Sequence, residues 1–386
     1  MNMKSTHNNI KVAVAMSGGV DSSVVAAILS NQGYQVFGLT MQLYNNQEKK
    51  SSKSCCAGQD IYDAKYVADK IGIPHYVLDY EKKFHDQVIS PFIEAYKSGE
   101  TPIPCILCNQ TVKFSDLISA SREIGADFLA TGHYIQKIIK DNQVRMYRAK
   151  DKSKDQSYFL FSTTINQLEY LSFPLGEYNK EQTRELALKY GLNVADKPDS
   201  QDICFVTNGK YKDFIEKQEN KSSNKGKIVN IYGEEVGDHS GIENFTVGQR
   251  RGIGVGGLKD PLYVVAIDRN KNTIIVGPKH ATAKNQISLR NVNWLIDKGS
   301  VLGGAFDIDV KVRNTQEPIS ASIRSDSNTG KIKVYFDKPL FGVSPGQACV
   351  FYKEDRVLGG GWIEKDNFDF IPHNKKEVLG SIGTSL

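Results

Sequence analysis

One junction near the start of the chain limits its folding more than any other feature. The apolar run Lys11 to Met16 passes directly into Ser17-Gly18-Gly19-Val20-Asp21-Ser22-Ser23, which opens into a helical pattern through Val24, Val25, Ile28 and Leu29. A strand, a Gly/Ser turn and a helix in immediate succession begin a βαβ unit. Its glycines let backbone approach phosphate oxygens, and its helix start supplies N–H donors and a positive dipole end. The turn lacks the Gly-Lys-Ser/Thr ending of a Walker A loop and the three-glycine spacing of a dinucleotide fingerprint, so it is an anion cradle of another kind.

The same alternation continues downstream. Gln35 to Met41, Pro74 to Asp79 and Asp127 to Thr131 read as strands. Asp60 to Ile71, Phe84 to Lys97 and Gln110 to Ile124 carry apolar residues near helical spacing, with Gly72 and Gly125 where helices stop. The expected fold is α/β, a doubly wound parallel sheet with ligands outside the carboxyl ends of its strands. Glu216 to Lys227 contains a polar Ser/Asn/Lys/Gly run that reads as a boundary. Beyond it the β-type runs Tyr263 to Ile267, Thr273 to Val276, Phe306 to Val312, Lys331 to Phe336 and Ala348 to Tyr352 predict a small β-barrel-like fold. The expected division is an α/β domain over 1–219, a small connecting domain over 220–279 and a β-barrel-like domain over 280–386.

Charge says little about partners: 49 basic residues face 44 acidic ones, a net +5 that is compatible with a polyanion without arguing for one. No apolar stretch is long enough to cross a bilayer, and Met1 to Asn9 lacks the hydrophobic segment of a secretory signal, so a cytoplasmic protein with no membrane partner is expected. In a reducing compartment, six cysteines in 386 residues read as thiols, ligands or catalysts rather than as a disulfide scaffold.

Cys108 lies in Thr101-Pro102-Ile103-Pro104-Cys105-Ile106-Leu107-Cys108-Asn109, read as a proline-stiffened loop ahead of a helix beginning near Gln110. A thiol close to a helix N-terminus has its thiolate stabilised by the dipole, which favours nucleophilic or sulfur-transfer chemistry. Cys204 sits in a second polar loop, Asp199-Ser200-Gln201-Asp202-Ile203-Cys204-Phe205. Cys105 and Cys108 form a C-x-x-C motif, a spacing shared by zinc sites, iron–sulfur sites and redox pairs, and Cys105, Cys108 and Cys204 could together hold a cluster with one open iron site. The vicinal pair Cys55 and Cys56, after a Lys/Ser run, and Cys349, in an apolar strand pattern, are given no role. His133, beside Gly132 at a strand end, suits a structural and a functional reading equally. Arg250 and Arg251, between Gly248 and Gly252, suit phosphate contact.

Ser17-Gly18-Gly19-Val20-Asp21-Ser22 resembles the PP-loop of the ATP pyrophosphatase superfamily, whose members cleave ATP between its α and β phosphates. With Pro104-Cys105-Ile106-Leu107-Cys108-Asn109, Val112-Lys113-Phe114, Ala130-Thr131-Gly132-His133-Tyr134, Lys154 to Leu160, Asp202 to Phe205, Thr246 to Gly254 and Ser344 to Ala348, the chain resembles the tRNA-specific 2-thiouridylase family over nearly its whole length.

That resemblance implies a tRNA-uridine 2-sulfurtransferase. Such an enzyme adenylates the C2 oxygen of the wobble uridine with ATP and magnesium and replaces it with persulfide sulfur. It implies ATP contacts at Ala15, Met16, Ser17, Gly18, Gly19, Val20, Asp21, Ser22, Met41 and Gly132, with Asp21 a candidate magnesium ligand or water holder. Cys204 resembles the cysteine that receives sulfur from a sulfur-relay protein or cysteine desulfurase, and Cys108 its catalytic partner; in that scheme the two end as a disulfide. Ile103, Pro104, Cys105, His133, Lys154, Asp155, Gln156, Arg313, Asn314 and Gln347 resemble positions that meet the anticodon stem-loop of the tRNA.

Two departures stand out. Many members carry Asp where this chain has Cys105, so a proton-transfer role assigned to that Asp does not carry over. The chain is also shortened after Arg313. The surroundings of Cys108 and Cys204 favour persulfide chemistry over a cluster, while an iron–sulfur-dependent thiolase, a small-molecule PP-loop ligase and an RNA-binding module without catalysis remain the competing readings.

Overall fold

The computed structural model describes residues 7, 9–44, 58–198, 203–206, 211–219, 224–256, 260–302, 304–326 and 329–371. Cys55, Cys56 and the segment from Asp199 to Asp202 lie outside them. Strands β1 (Lys11–Ala15), β2 (Gln35–Gln42), β3 (His75–Asp79), β4 (Phe128–Thr131) and, beyond a hairpin of β5 (Ile135–Lys140) and β6 (Gln143–Arg148), β7 (Leu171–Ser172) build the first sheet. Its order is β3-β2-β1-β4-β7, with every pairing parallel.

Alternation along β1 decides which layer each residue joins. Val12 and Val14 pack with Val24, Val25, Ala64 and Val67 of the helices Val20–Asn31 and Gly58–Ile71. Ala13 points the other way, into a core with Leu39, Phe84 and Phe92. Helices therefore cover both faces, as the doubly wound expectation requires. The chain runs outward from β1 to β2 and β3, then returns to the other side of β1 at β4. The switch point between β1 and β4 opens a crevice at their carboxyl ends, where such sheets bind ligands.

One helical expectation needs correction. The stretch before Gln110 is not a loop: an α-helix over Pro104–Cys108 runs on through a π-helical Asn109–Asp116 into a helix over Leu117–Glu123. Pro104 occupies the first turn, where its fixed φ suits a helix and its missing N–H costs nothing.

Two β assemblies follow. Strands β8 (Gly226–Asn230), β9 (Glu235–His239), β10 (Tyr263–Asp268) and β11 (Thr273–Gly277) form a sheet in the order β10-β11-β8-β9. Strands β12 (Ala283–Trp294), β13 (Phe306–Lys311), β14 (Ile319–Ser325), β15 (Ile332–Phe341), β16 (Ala348–Lys353) and β17 (Arg356–Ile363) run in the order β12-β15-β14-β13-β16-β17 and close through β12–β17 pairing into a barrel.

The α/β part is built into that barrel. The β5–β6 hairpin turns at Asp141 and Asn142, both at positive φ, and meets β17 where Tyr147 pairs with Arg356. Arg148 at its end faces Asp155 at 3.3 Å, and reaches Glu317 of the barrel at 3.3 Å. The Tyr158 hydroxyl donates to the Ala348 carbonyl at 3.0 Å, and Asn293 donates to the carbonyls of Phe161 and Thr163 at 2.7 and 2.9 Å. No helix among the described residues is long and apolar enough to cross a membrane.

Candidate active site

The turn after β1 lies at the β1/β4 crevice. Gly18 has φ +70°, and a Cβ there would run into the backbone carbonyl of Asp60, so only glycine fits. Gly19 begins the helix Val20–Asn31 with no side-chain cap, which leaves the helix start to an incoming anion. The Ser17 N–H donates to Ser22 Oγ at 3.1 Å, and Ser23 Oγ donates to the Gly19 carbonyl at 2.9 Å, fixing the turn from within. Gly132, just past β4, packs so close that an added Cβ would come within 2.8 Å of the Ser22 backbone nitrogen. Met16 and Met41 are buried, the first just past the end of β1 and the second one residue before the carboxyl end of β2. Ala15 is the last residue of β1, so the nucleotide candidates from Ala15 to Ser22, Met41 and Gly132 gather at one end of the sheet.

Two lysines that sequence patterns did not single out bracket this turn. Lys180 donates to both oxygens of Asp21, at 2.7 and 2.9 Å, and Tyr134 adds its hydroxyl at 2.8 Å. Asp21 is thus already balanced by a cation, and a lone carboxylate so paired does not build a magnesium site; the ion fits better as one carried on phosphate oxygens. Lys197 reaches Asp60 and Asp63, each at 2.6 Å, and the Gly18 carbonyl at 3.0 Å. Burial works against its charge, but the hydrogen bonds and charges of Asp60 and Asp63 outweigh it and hold the ammonium above its usual pKa. Only the fold brings these residues together, since Lys197 is more than a hundred residues from both acids.

Replacing Lys197 with Met would leave two mostly buried carboxylates facing each other. We expect a loss of about 3 kcal/mol of stability, the scale for breaking a buried pair. Thermal melts should show a lower Tm, partly restored when Asp63→Asn is added; an unchanged Tm in the single variant would show that the cluster carries no such strain.

His133 Nδ1 lies 2.9 Å from Thr131 Oγ1, with its ring edge-on to Phe114. Burial, helped by the charge of Lys113, pushes its pKa down to about 3. The ring is therefore neutral near pH 7, a dipole and not a cation. Its folded pKa lies below the unfolded value of about 6.5, so its contribution is complete above that value and is lost as pH falls toward 3. A His133→Asn variant should therefore lose less Tm than the parent between pH 7 and pH 5. Equal losses in parallel melts would exclude this contribution.

The cysteines depart from expectation in one respect. With the helix starting at Pro104, Cys108 lies a full turn inside it. Burial raises its thiol pKa, Lys113 opposes that rise and Cys105 adds to it, so the resting group is a protected thiol and not a dipole-activated thiolate. Cys204 is half-buried, and the Tyr44 hydroxyl donates to its carbonyl at 2.8 Å. Its neighbour Phe205 packs edge-on to Phe84 and Phe92, with centroids at 5.7 and 5.2 Å. The helix Pro104–Cys108 packs against His85–Ile89 of the preceding helical run, and Cys108 and Cys204 border one hydrophobic core. Among the described residues, Cys105, Cys108 and Cys349 are free thiols. Among the described residues, no three His, Cys, Asp or Glu side chains are gathered to hold a metal ion.

The barrel grips the segment that carries Cys105 and Cys108. Gln347 Nε2 donates to the Thr101 carbonyl and the Thr101 N–H donates to the Pro345 carbonyl, both at 2.8 Å. Arg290 makes a two-pronged pair with Glu100 at 2.7 and 2.6 Å. Ile103 and Pro104 are buried and Cys105 is exposed.

The remaining RNA candidates fall in different settings. Asp155 is buried against Arg148 and accepts from Ala149 N and Ser157 Oγ, so its carboxylate faces inward and shapes the loop. Gln156 accepts from the Tyr134 N–H at 2.8 Å, and Lys154 is partly exposed. Arg313 donates to the Phe341 and Gly342 carbonyls, while the buried Asn314 Oδ1 has no partner among the described residues. Arg250 and Arg251 are exposed on their glycine-flanked turn.

Comparison with known proteins gives a consistent picture. A family model described as the tRNA methyl transferase HUP domain matches residues 10–208; the tRNA methyl transferase PRC-barrel domain matches 212–278, and the aminomethyltransferase beta-barrel domain 284–363. The chain is 54% identical over 356 residues to the tRNA-specific 2-thiouridylase MnmA of Rickettsia felis, covering 92% of this chain and 97% of that protein. With the protein of the same name from Rickettsia bellii strain OSU 85-389 it shares 55% over 357 residues, 92% of this chain and 96% of that one. Solved structures are more distant. NMN synthetase from Francisella tularensis aligns over 57% of this chain and 80% of that one with 15% identity and a TM-score of 0.33, too low to bear on function.

Proposed function

The chain belongs to the tRNA-specific 2-thiouridylase family, and from that premise we propose that it uses ATP to exchange the C2 oxygen of a tRNA wobble uridine for sulfur, releasing AMP and pyrophosphate. A C2 carbonyl has no good leaving group. Adenylation converts its oxygen into one, and the glycine turn at the β1/β4 crevice supports a role in holding the triphosphate during that step. Ala15 to Ser22, Met41 and Gly132 would hold the nucleotide, with magnesium travelling on its phosphates.

Sulfur then comes from a persulfide on Cys204, loaded by a relay protein or a cysteine desulfurase. In one route the terminal sulfur of that persulfide attacks C2 as AMP departs, and the Cys108 thiolate then attacks Cys204 Sγ, breaking the S–S bond so that the thiouridine sulfur leaves. In the other, Cys108 first cleaves the S–S bond to release sulfide, which attacks C2 within the pocket and displaces AMP. Thiolate attack on sulfur is ordinary exchange chemistry. Either route leaves Cys108 and Cys204 joined as a disulfide. A protected Cys108 thiol suits this order, because it stays inert until RNA and nucleotide change its surroundings.

The base must leave the anticodon stack to reach the pocket, at a cost of about a few kcal/mol that backbone contacts elsewhere must offset. Exposed Arg250 and Arg251, with Lys154, Gln156, Arg313, Asn314 and Gln347, are the proposed contacts; His133 and the segment Ile103 to Cys105 are the proposed approach to the base, and Asp155 positions its loop. The reading rests most on one juxtaposition: the anion turn and the cysteines Cys108 and Cys204 in one α/β unit, with the segment that carries Cys108 clasped by a barrel.

Unmodified tRNA, ATP, magnesium and a persulfide donor, followed by mass analysis of nucleosides, provide the test. The expected product is 2-thiouridine at the wobble position. ATP cleavage to AMP with no thiolated nucleoside, and unaffected by replacement of both cysteines, would point instead to a small-molecule ligase.

A further inference from the structure

The sulfur-transfer steps give the thiol of Cys105 no part, although it stands one helical turn before Cys108. Residues three apart share a helix face, with Cβ atoms about 5–6 Å apart. That is slightly longer than the 3.5–4.5 Å of a disulfide, so tightening one turn suffices. The turn concerned is the first of its helix and is already tight: the Ile106 N–H donates to the Ile103 carbonyl, three residues back, at 3.2 Å. The two thiols also differ in access, since Cys105 is exposed while Cys108 is only 6% exposed. Burial raises the pKa of both thiols, and the charge of Lys113, on the same helical run, opposes that rise at each.

We propose that Cys105 is the resolving thiol of the catalytic cycle, attacking Cys108 in the Cys108–Cys204 disulfide and passing the oxidised state to a Cys105–Cys108 pair that an external dithiol can reach. The proposal rests on the function given above.

The exchange balances without an added oxidant. The Cys105 thiolate forms a bond to Cys108 Sγ, the Cys108–Cys204 bond breaks, and Cys204 departs as a thiolate that takes up the proton lost by Cys105. Cys204 is then free for the next persulfide. A reductant of the dithiol class later supplies two electrons and two protons to Cys105–Cys108, becoming a disulfide itself. The geometry gives the step its use: Cys108 is buried and a protein-sized reductant has little access to it, whereas Cys105 offers an exposed sulfur on the same helix. Thiol–disulfide exchange depends on which sulfur is accessible to attack.

The test is one round of thiolation without reductant, then acid quenching, alkylation and peptide mass mapping. The intact protein should hold mainly a Cys105–Cys108 bridge, with Cys204 alkylated. Cys105→Ser should instead be trapped as Cys108–Cys204. With a protein dithiol as reductant, its later turnovers should slow at least tenfold relative to its own first one, and a small phosphine should relieve that slowing. A parent protein that makes thiouridine but carries only Cys108–Cys204, or a Cys105→Ser variant that refills as fast as it first reacts, would overturn the resolving role and leave the proposed function standing. Absence of both thiouridine and any bridge in the parent would overturn both.

Discussion

Cys204→Ser is expected to take up no labelled sulfur from a persulfide donor and to lower thiouridine formation by at least about 10³-fold, the scale on which loss of a covalent nucleophile acts. Cys108→Ser should lose product to the same degree yet still accept the label, because the half-buried Cys204 remains to receive it. The two variants therefore separate loading from transfer. Cys204 is half-buried, so its serine should change Tm little. Cys108 belongs to the core, and a buried hydroxyl there costs about 1–3 kcal/mol, which a parallel melt separates from the chemical loss. Label found first on Cys108 would reverse the assignment, and label on neither would remove the persulfide route.

Gly18→Ala should disable the nucleotide end of the site. At φ +70° an alanine costs about 1–2 kcal/mol in backbone conformation alone. The added methyl would also meet the Asp60 carbonyl, part of a helix that Lys197 ties to this same turn. The turn must shift, and displacement of about 1 Å at a reacting centre lowers rates on the order of 10²-fold. ATP-dependent pyrophosphate release should fall at least that far, while persulfide loading of Cys204 persists. Release at the parental rate would mean that the turn does not hold the phosphates.

These effects draw on features that the sequence made visible to different degrees. β1, β2 and β4 were legible because Val, Leu and Phe alternate between clear stops, and the glycine turn because its chemistry is local. β17 was not among the expected strands, because Gly359, Gly360 and Gly361 lack the side chains that mark one. Their reason is tertiary, since a Cβ on Gly360 would lie 2.7 Å from the Phe161 ring and one on Gly361 2.8 Å from Val292. The β5–β6 hairpin did carry a local signal in Asp141-Asn142, a pair that tolerates the positive φ of a two-residue turn. The Lys197 cluster had none, because Asp60 and Asp63 reach it only across the fold. Prolines misled at Cys108: Pro102 and Pro104 suggest a stiff loop, yet the second of them starts the helix that buries the thiol.

The insertion of Arg148, Tyr158 and Phe161 into the barrel wall has a consequence for how this protein can be handled. A fragment ending near residue 219 would expose an aromatic patch and an arginine that has lost its barrel carboxylates Glu317 and Asp355, together with the unpaired edge of a hairpin. Such a piece should aggregate rather than serve as a portable nucleotide-cleaving module. The border drawn along the chain is no seam in energy, and recombination between relatives should succeed only when hairpin and barrel are inherited from one parent.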